Sequence, residues 1–279
     1  MTAQILSSKP LFETLKSQIK LEIAALQQKP SLLVILIGQH PASLIYVNHK
    51  KNACAEVGID CHIEHYPESM TETQLVEIVQ KHNQNPKIHG ILIQFPLPAH
   101  IRQEIIIECI EPHKDVDGFH PYNLGRLAAG FPSLRPCTPY GIIQLLKYYQ
   151  IELKGIDALV VGISRIVGRP MALELLLPKA TVTLCHSDTR NLAEKIDKHQ
   201  LVIVATGKRN LIDANRLNPE HIIIDVGIHR DKQRKICGDI DFEIAQKRVK
   251  AITPVPGGVG PMTIMSLLQN VLQAYYFQK

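Results

Sequence analysis

Long apolar segments are missing from this sequence. Its longest apolar run, from Leu32 to Gly38, has the length of a β-strand, whereas a membrane-spanning helix needs about 18 consecutive apolar residues. The first ten residues also lack the basic and then apolar design of a secretory signal peptide. We therefore expect a cytoplasmic protein that has no membrane partner.

Closely spaced cysteines and clusters of one charge are missing as well. The six cysteines are far apart and none forms a C-x-x-C pair, so the sequence indicates neither a zinc site nor a disulfide framework. We expect reduced thiols and no bound metal. The formal net charge is +5, but the basic residues are scattered, which favours anionic small molecules over nucleic acid as partners.

The hydrophobic pattern predicts two successive α/β series within 279 residues. In each series, apolar runs of strand length alternate with segments of helical periodicity, and parallel strands joined by crossover helices are the natural solution. The predicted strands cover residues 32–38, 59–65, 88–94, 158–162, 181–186, 201–205 and 222–226. The predicted helices cover 11–26, 41–58, 73–82, 101–110, 141–149, 166–177, 192–198 and 262–276, and 111–139 is predicted to be irregular.

A glycine-containing turn follows the first strand of the second series. Gly162 permits a tight turn and Gly168 permits a close backbone approach, and free amides at the start of the next helix would hold a pyrophosphate. The segment is not G-x-G-x-x-G, because Ser164 and Val167 replace two of the glycines. Spacing alone leaves two interpretations open, a cofactor site and an ordinary strand–helix turn.

The tip of the following strand bears on the choice of cofactor. An NAD site usually carries Asp or Glu there, which binds the ribose hydroxyls and would repel a 2′-phosphate. Here the tip carries Ser187, and Arg165 and Arg190 are candidate phosphate partners, which favours NADP. Asp188 lies one residue further and weakens this preference. The alternative is that the tip merely ends a strand.

In the first series, Ser43, Tyr46, Val47 and Lys50 share one face of a predicted helix. That face should look across the carboxyl ends of the strands, where α/β sheets place their ligands. Tyr46 and Lys50, four residues apart, could hydrogen-bond to each other. The alternative is a surface Tyr–Lys pair, which is common.

Three further segments carry candidate site residues. Gln94 ends a predicted strand, and the prolines that follow it fix the backbone. Asp115 and Asp117 lie in the irregular segment, where the alternative is a solvated turn, and their D-x-D-G pattern lacks the other acidic ligands of a calcium loop. The Pro- and Gly-rich segment 253–261 offers bare backbone that a planar ligand can approach, or is a rigid connection between lobes.

These patterns predict an α/β protein of two lobes, in which the second is a Rossmann-type dinucleotide-binding domain if its glycine turn is a cofactor site. The first domain is predicted to cover residues 1–136 and to be completed by the C-terminal helix 262–279. The second, NADP-binding domain is predicted to cover residues 137–261.

Taken together, these segments closely resemble the bifunctional methylenetetrahydrofolate dehydrogenase/methenyltetrahydrofolate cyclohydrolase family, over nearly the whole chain. The order and joint presence of the motifs are highly specific. They are Ser43-x-x-Tyr46-Val47-x-x-Lys50, Gln94-Phe95-Pro96-Leu97-Pro98, Asp115-Val116-Asp117-Gly118, Gly162-x-Ser164-x-Ile166-Val167-Gly168-x-Pro170, Asp225-Val226-Gly227-Ile228, Gly238-Asp239-Ile240-Asp241-Phe242 and Thr253 through Thr263.

Position by position, the resemblance implies roles for these residues. Lys50 looks like the catalytic lysine and Gln94 like its partner. Tyr46 looks like the ring that stacks on or orients the folate, and Asp117 like the carboxylate that holds the pterin edge; both count among the catalytic residues. Substrate contacts are also implied for Pro256, Gly257 and Gly258, and cofactor contacts for Gly162, Ile163, Ser164, Ser187 and Ile228.

The resemblance also implies a homodimer with a folate cleft between the lobes, and tetrahydrofolate derivatives as substrates. The sequence departs from the family pattern at three places: Phe95 stands where Leu is usual, Ile163 where many members have Arg, and His229 where Asn is frequent. None of these departures touches the chemistry expected of Lys50.

The implied chemistry has two steps with different demands. Oxidation of the methylene bridge transfers a hydride to the nicotinamide, and positioning dominates that step. Water then attacks the methenyl cation, and the proton transfers that open the ring benefit from an acid–base group.

Three rival functions remain to be weighed. A short-chain dehydrogenase also uses Tyr-x-x-x-Lys, but there the nucleotide turn precedes the pair, whereas Tyr46 here precedes Gly162. The Gln94 and Asp117 segments argue against a two-lobed amino-acid or shikimate-type dehydrogenase without cyclohydrolase activity. The intact set of Lys50, Gln94 and Asp117 disfavours a non-enzymatic folate or nucleotide sensor.

Overall fold

The structure is a computed structural model that describes residues 2–231 and 233–279. The chain divides into two compact units, each made of two stretches of sequence. The nucleotide-type unit, named for its sheet, comprises the segment that ends at Glu13 and residues Thr138–Thr263. The lysine unit, which contains Lys50, comprises Thr14–Cys137 and Ile264–Lys279.

The helices and strands alternate along most of the chain. The strands are β1 (Gln4–Ile5), β2 (Ser31–Ile37), β3 (Asp60–Tyr66), β4 (Gly90–Ile93), β5 (Asp157–Val161), β6 (Thr181–Cys185), β7 (Leu201–Val204), β8 (Ile222–Asp225), β9 (His229–Arg230), β10 (Ile236–Cys237) and β11 (Ala251–Ile252). The α-helices are α1 (Lys9–Ala24), α2 (Pro41–Val57), α3 (Glu72–Asn83), α4 (Gln103–Cys109), α5 (Pro121–Ala128), α6 (Cys137–Tyr148), α7 (Gly168–Leu176), α8 (Leu192–Asp197), α9 (Phe242–Ala245) and α10 (Val259–Phe277). A short 3-10 helix covers Ala214–Arg216.

The lysine unit contains a parallel three-stranded sheet in the order β3-β2-β4. Every residue of the central strand β2 is buried, as expected for a strand of a parallel sheet covered on both faces. The helix α2 starts at Pro41, where the missing amide hydrogen costs nothing, and ends before Gly58, whose φ of 92° suits a left-handed cap. These two local signals place Lys50 within an uninterrupted helix.

The nucleotide-type unit contains a six-stranded parallel sheet in the order β1-β11-β8-β7-β5-β6. The chain runs outward from β5 to β6 and then returns to the other side of β5 as β7. The gap between β5 and β7 is therefore the topological switch point, beside which dinucleotides bind in sheets of this kind. This parallel α/β architecture confirms the predicted fold class.

The sequence pattern did not predict the two-residue strands or the short helices α5 and α9. The sequence predicts the first residues to be part of the first domain, whereas β1 pairs with β11 in the sheet of the other unit. The prediction that residues 111–139 are irregular is wrong for α5, which begins at Pro121 and whose first turn is capped by the His120 side chain. Elements this short carry too few residues for a periodicity to emerge.

A buried asparagine of α10 holds the segment that carries Asp117. The amide nitrogen Nδ2 of Asn270 donates to the carbonyl of Val116 at 2.8 Å and to that of Arg135 at 2.7 Å. Asn270 is itself buried. Among the described residues, no helix is long and apolar enough to cross a membrane.

Replacing this asparagine by a leucine of similar shape should destabilise the lysine unit. Asn270→Leu removes the Nδ2 donor from both carbonyls, which leaves Val116 with only the weaker thiol donor of Cys137, and a buried unsatisfied polar group costs about 1–3 kcal/mol. We expect a lower midpoint of thermal unfolding, measured by circular dichroism. The exposed Gln273 on the same helix provides the control, since Gln273→Leu removes no buried hydrogen bond. Equal midpoints for the two variants would contradict the role given to Asn270.

Candidate functional site

Lys50 and Gln94 form a hydrogen-bonded pair in the lysine unit. The Nζ of Lys50 donates to Oε1 of Gln94 at 3.0 Å, and Nε2 of Gln94 donates to the carbonyl of Phe95 at 2.8 Å. The second bond fixes which end of the Gln94 amide faces the lysine. Gln94 follows β4, so the pair lies at the carboxyl ends of the strands, where parallel sheets bind ligands.

Asp117 is the carboxylate that acts electrostatically on this pair. Burial raises the pKa of Asp117 to about 6, the charge of Lys50 lowers it, and the neighbouring Asp115 raises it. Asp117 nevertheless keeps part of its surface exposed. The structure therefore brings together three of the residues that the sequence selected: Lys50, Gln94 and Asp117.

The predicted face of α2 points inward. Ser43 and Val47 are buried, and Tyr46 and Lys50 are partly buried. Burial raises the pKa of the Tyr46 hydroxyl. The hydrogen bond considered between Tyr46 and Lys50 is not found within the described part of the chain, because the lysine reaches Gln94 instead.

Several polar groups that support Asp117 were missed by the sequence analysis. The buried carboxylate of Asp115 accepts hydrogen bonds from the amide of His120 at 2.8 Å and from Nδ2 of Asn123 at 2.9 Å, so the solvated-turn alternative is wrong for Asp115. The thiol of Cys137 donates to the carbonyl of Val116 at 3.2 Å, and burial raises its pKa. A lone Asn at a buried position of α10 is the one signal that could have pointed to this support.

The turn after β5 in the nucleotide-type unit is built on two glycines. A Cβ at Gly162 would lie 2.2 Å from the carbonyl oxygen of Ala205, and one at Gly168 would lie 1.9 Å from the carbonyl oxygen of Gly162. The expectation of free amides at the start of α7 is wrong in part. The hydroxyl of Ser164 accepts hydrogen bonds from the amides of Val167 and Gly168, at 3.2 and 3.3 Å.

The end of β6 presents polar side chains to solvent. Ser187 is exposed, and its hydroxyl donates to Oδ2 of Asp188 at 3.3 Å. The carboxylate of Asp188 also lies 3.7 Å from Nδ1 of His186. Arg165 and Arg190 are both exposed, so their guanidinium groups are accessible to an anionic ligand. The hydroxyl of Ser187 and the two arginines favour an anionic ligand, whereas the carboxylate of Asp188 opposes one.

The remaining predicted contact residues lie on loops of the same unit. Ile228 is half exposed after β8, and Ile163 is partly buried in the turn after β5. Pro256 is exposed, and Gly257 has a φ of 99° that favours glycine. The hydroxyl and the amide of Ser8 both donate to the carbonyl of Gly257 at 2.8 Å, which fixes this loop.

A glycine turn at the switch point of a parallel sheet defines a dinucleotide-binding α/β enzyme, and the lysine, glutamine and aspartate cluster adds groups able to move protons. Residues 6–117 match the family model described as "Tetrahydrofolate dehydrogenase/cyclohydrolase, catalytic domain". Residues 136–279 match the family model described as "Tetrahydrofolate dehydrogenase/cyclohydrolase, NAD(P)-binding domain". The chain thus belongs to the tetrahydrofolate dehydrogenase/cyclohydrolase family, which confirms the resemblance found in its sequence.

Known proteins of this family match the chain over almost its whole length. The bifunctional protein FolD of Legionella pneumophila (strain Corby) is 52% identical over 260 residues, which are 93% of this chain and 92% of that protein. The crystal structure of the bifunctional enzyme FolD from Campylobacter jejuni superposes with a TM-score of 0.96 at 43% identity, covering 99% of this chain and 100% of that chain. The Trypanosoma brucei enzyme complexed with NADP cofactor and inhibitor superposes with a TM-score of 0.94 at 31% identity, covering 99% and 98% of the two chains.

The raised pKa of Asp117 predicts a pH-dependent loss of stability. Below its ordinary value of 3.8, the carboxyl is protonated in the folded and unfolded states alike. As the pH rises through about 6, the folded protein must ionise a carboxyl that burial keeps protonated, so stability is lost. Asp117→Asn, which mimics the neutral form, should match the wild type at pH 4 and unfold at a higher temperature at pH 8.

Differential scanning calorimetry at the two pH values measures this difference. The exposed Asp60 of the same unit is the matched control, because an exposed carboxylate is hydrated in both states. Asp60→Asn should leave the difference between the two pH values unchanged. A gain for Asp117→Asn that is equal at pH 4 and pH 8 would show that burial of its charge is not the cause.

Proposed function

We propose that this chain oxidises 5,10-methylenetetrahydrofolate to 5,10-methenyltetrahydrofolate with NADP and then hydrolyses the product to 10-formyltetrahydrofolate. The observation that carries this function is the hydrogen bond from Lys50 to Gln94 with Asp117 acting on the same lysine, in a chain whose two parts match both family domains. The enzyme is thus both an oxidoreductase and a hydrolase of one-carbon metabolism.

The two units divide this work. The lysine unit, Thr14–Cys137 and Ile264–Lys279, binds the folate, while the nucleotide-type unit binds NADP through the turn after β5. Ser187, Gly162, Ile163, Ser164 and Ile228 are proposed as its cofactor contacts, with Pro256, Gly257 and Gly258 facing the substrate. Support comes from the glycine turn at the switch point and from the exposed hydroxyl at the end of β6.

In the first step, the residues of this chain hold and orient the reactants. The bound nicotinamide supplies the hydride acceptor. Asp117 accepts hydrogen bonds from the pterin edge, and the ring of Tyr46 stacks against the folate. Neither contact requires proton transfer at the methylene carbon, because the hydride leaves with its electron pair and no proton is released.

In the second step, water adds to the methenyl carbon, the bond from that carbon to N5 breaks, and one proton is released overall. Lys50 takes a proton from the attacking water and returns one to the departing nitrogen. Gln94 keeps the Nζ of Lys50 in place through its oriented amide. General acid–base catalysis of this kind contributes about 10²–10⁴-fold to the rate.

We further propose that the chain works as a homodimer in the cytoplasm. The homodimer rests on the resemblance to the family, and sedimentation velocity of the purified protein tests it. The cytoplasmic location rests on the widely spaced cysteines, which indicate reduced thiols.

NADP should support turnover better than NAD, because the end of β6 presents the Ser187 hydroxyl to the ribose 2′-position. The test measures kcat/KM with methylenetetrahydrofolate and either nucleotide, following the reduced-nicotinamide absorbance. Ser187→Asp adds a negative charge opposite the 2′-phosphate and should lower kcat/KM for NADP by about tenfold or more, with a smaller effect on NAD. Equal values for the two nucleotides in the wild type would contradict the NADP preference.

Lys50→Gln should separate the two activities. The substitution keeps length and hydrogen-bonding capacity but removes proton transfer, so enzyme-catalysed methenyl hydrolysis should fall by about 10²–10⁴-fold. Some dehydrogenase activity should survive, so methenyl product accumulates when NADP is supplied. The assay follows the methenyl absorbance during turnover and after addition of methenyltetrahydrofolate.

The adjacent exposed Lys51 offers a control on the same helix. Lys51→Gln should hydrolyse methenyltetrahydrofolate at the wild-type rate. If Lys50→Gln also does so, Lys50 is not the group that moves the protons.

A further inference from the structure

Two sequence motifs, Asp225–Ile228 and Gly238–Phe242, are joined by one buried carboxylate. Asp225 accepts hydrogen bonds from the amides of Gly227, Asp239 and Ile240, each at 2.9 Å. The fit is tight, because a Cβ at Gly238 would lie 2.0 Å from Oδ2 of Asp225. The two motifs therefore form a single rigid piece of backbone at the end of β8.

Asp239 extends this piece to the loop that follows β7. Its Oδ2 accepts from the amide of Thr206 at 2.8 Å, from the hydroxyl of Thr206 at 2.7 Å and from the amide of Gly207 at 3.0 Å. Its Oδ1 lies 2.6 Å from Nε2 of His229. The Asp239 side chain is fully buried, while His229 remains partly exposed. One carboxylate thus fixes the loop after β7 and, through His229, the segment after β8.

These loops border the switch point of the sheet. The carbonyl of Ala205, directly before Thr206, lies against the glycine turn at Gly162. In this kind of sheet a dinucleotide lies across the switch point with its pyrophosphate at that turn. If the ribose phosphate end lies at β6 with Ser187, the nicotinamide end must lie on the other side, over the ends of β7 and β8.

We propose that His229 and Asp239 are positioning residues for the nicotinamide half of NADP. Asp239 anchors the Thr206–Gly207 loop and, by holding the imidazole of His229, orients the segment that presents Ile228 to the cofactor. The inference rests on the proposed function and assigns to the dehydrogenase step a pair that the hydrolysis step does not use. The pair therefore affects hydride transfer but not the methenyl hydrolysis that Lys50 catalyses.

The test replaces His229 in two ways and compares the two activities of the whole enzyme. His229→Leu removes the imidazole donor, whereas His229→Asn keeps a side-chain amide donor of shorter reach. We expect His229→Leu to lower dehydrogenase kcat by about tenfold or more through misplaced nicotinamide. His229→Asn should recover much of the loss. Hydrolysis of added methenyltetrahydrofolate without NADP should stay within about twofold of wild type for both variants, since misplacement of the nicotinamide does not touch that step.

Binding measurements separate positioning from a general structural effect. Isothermal titration should show weaker binding of NADP to His229→Leu but unchanged binding of 2′,5′-ADP, which carries only the adenine half. The control is Asp241→Asn in the same segment, because the carboxylate of Asp241 caps α9 by accepting a hydrogen bond from the amide of Ile244. That variant should keep both activities and both affinities.

Two results would overturn the proposal. A parallel fall of both activities, or of both affinities, in His229→Leu would mean that the pair only supports the fold. Wild-type dehydrogenase kinetics and NADP affinity in His229→Leu would mean that the pair has no role in positioning. Failure of the proposed function itself is recognised separately, because wild-type protein would then neither reduce NADP nor hydrolyse methenyltetrahydrofolate.

Discussion

Coverage of both faces of its parallel strands is the constraint on which the rest of this protein depends. The strands β2, β4, β7 and β8 are buried along their whole length, so polar side chains can be accommodated only where the strands end. In parallel sheets these ends share one edge. Gln94 after β4 and Thr206 after β7 are both consequences of this one rule.

Three carboxylates, those of Asp225, Asp239 and Asp117, differ in how far hydrogen bonds within the fold occupy their oxygens. This difference separates the carboxylates that support the fold from the one that is available for catalysis. Asp225 and Asp239 each accept several hydrogen bonds from backbone amides and neighbouring side chains, so their oxygens are committed to the fold. Asp117 is influenced chiefly by burial and by the charge of Lys50, and part of its surface is open. Because part of its surface is open, the carboxylate of Asp117 remains available to a ligand.

The sequence allowed the larger features of the fold and the centre of the site to be predicted. The long apolar runs marked the principal strands, and helical spacing placed Lys50 on the inward face of α2, because burial leaves a periodic trace in a sequence. Contacts between distant residues leave no such trace. The hydrogen bonds from the amides of Val167 and Gly168 to Ser164 and the anchoring of Val116 by Asn270 depend on three-dimensional proximity that only the folded chain creates.

The way in which the two units share the chain also affects how the protein is made. The edge strand β1 pairs with β11, near residue 251, and the lysine unit includes α10 from Ile264 onward. A ribosome that has produced the first half of the chain has therefore completed neither unit. The nascent lysine unit must wait for its last helix, with Asn270, to leave the exit tunnel. The lysine unit can reach its final form only once α10 has been made, so the partly covered intermediates of a growing chain are a natural target for chaperones.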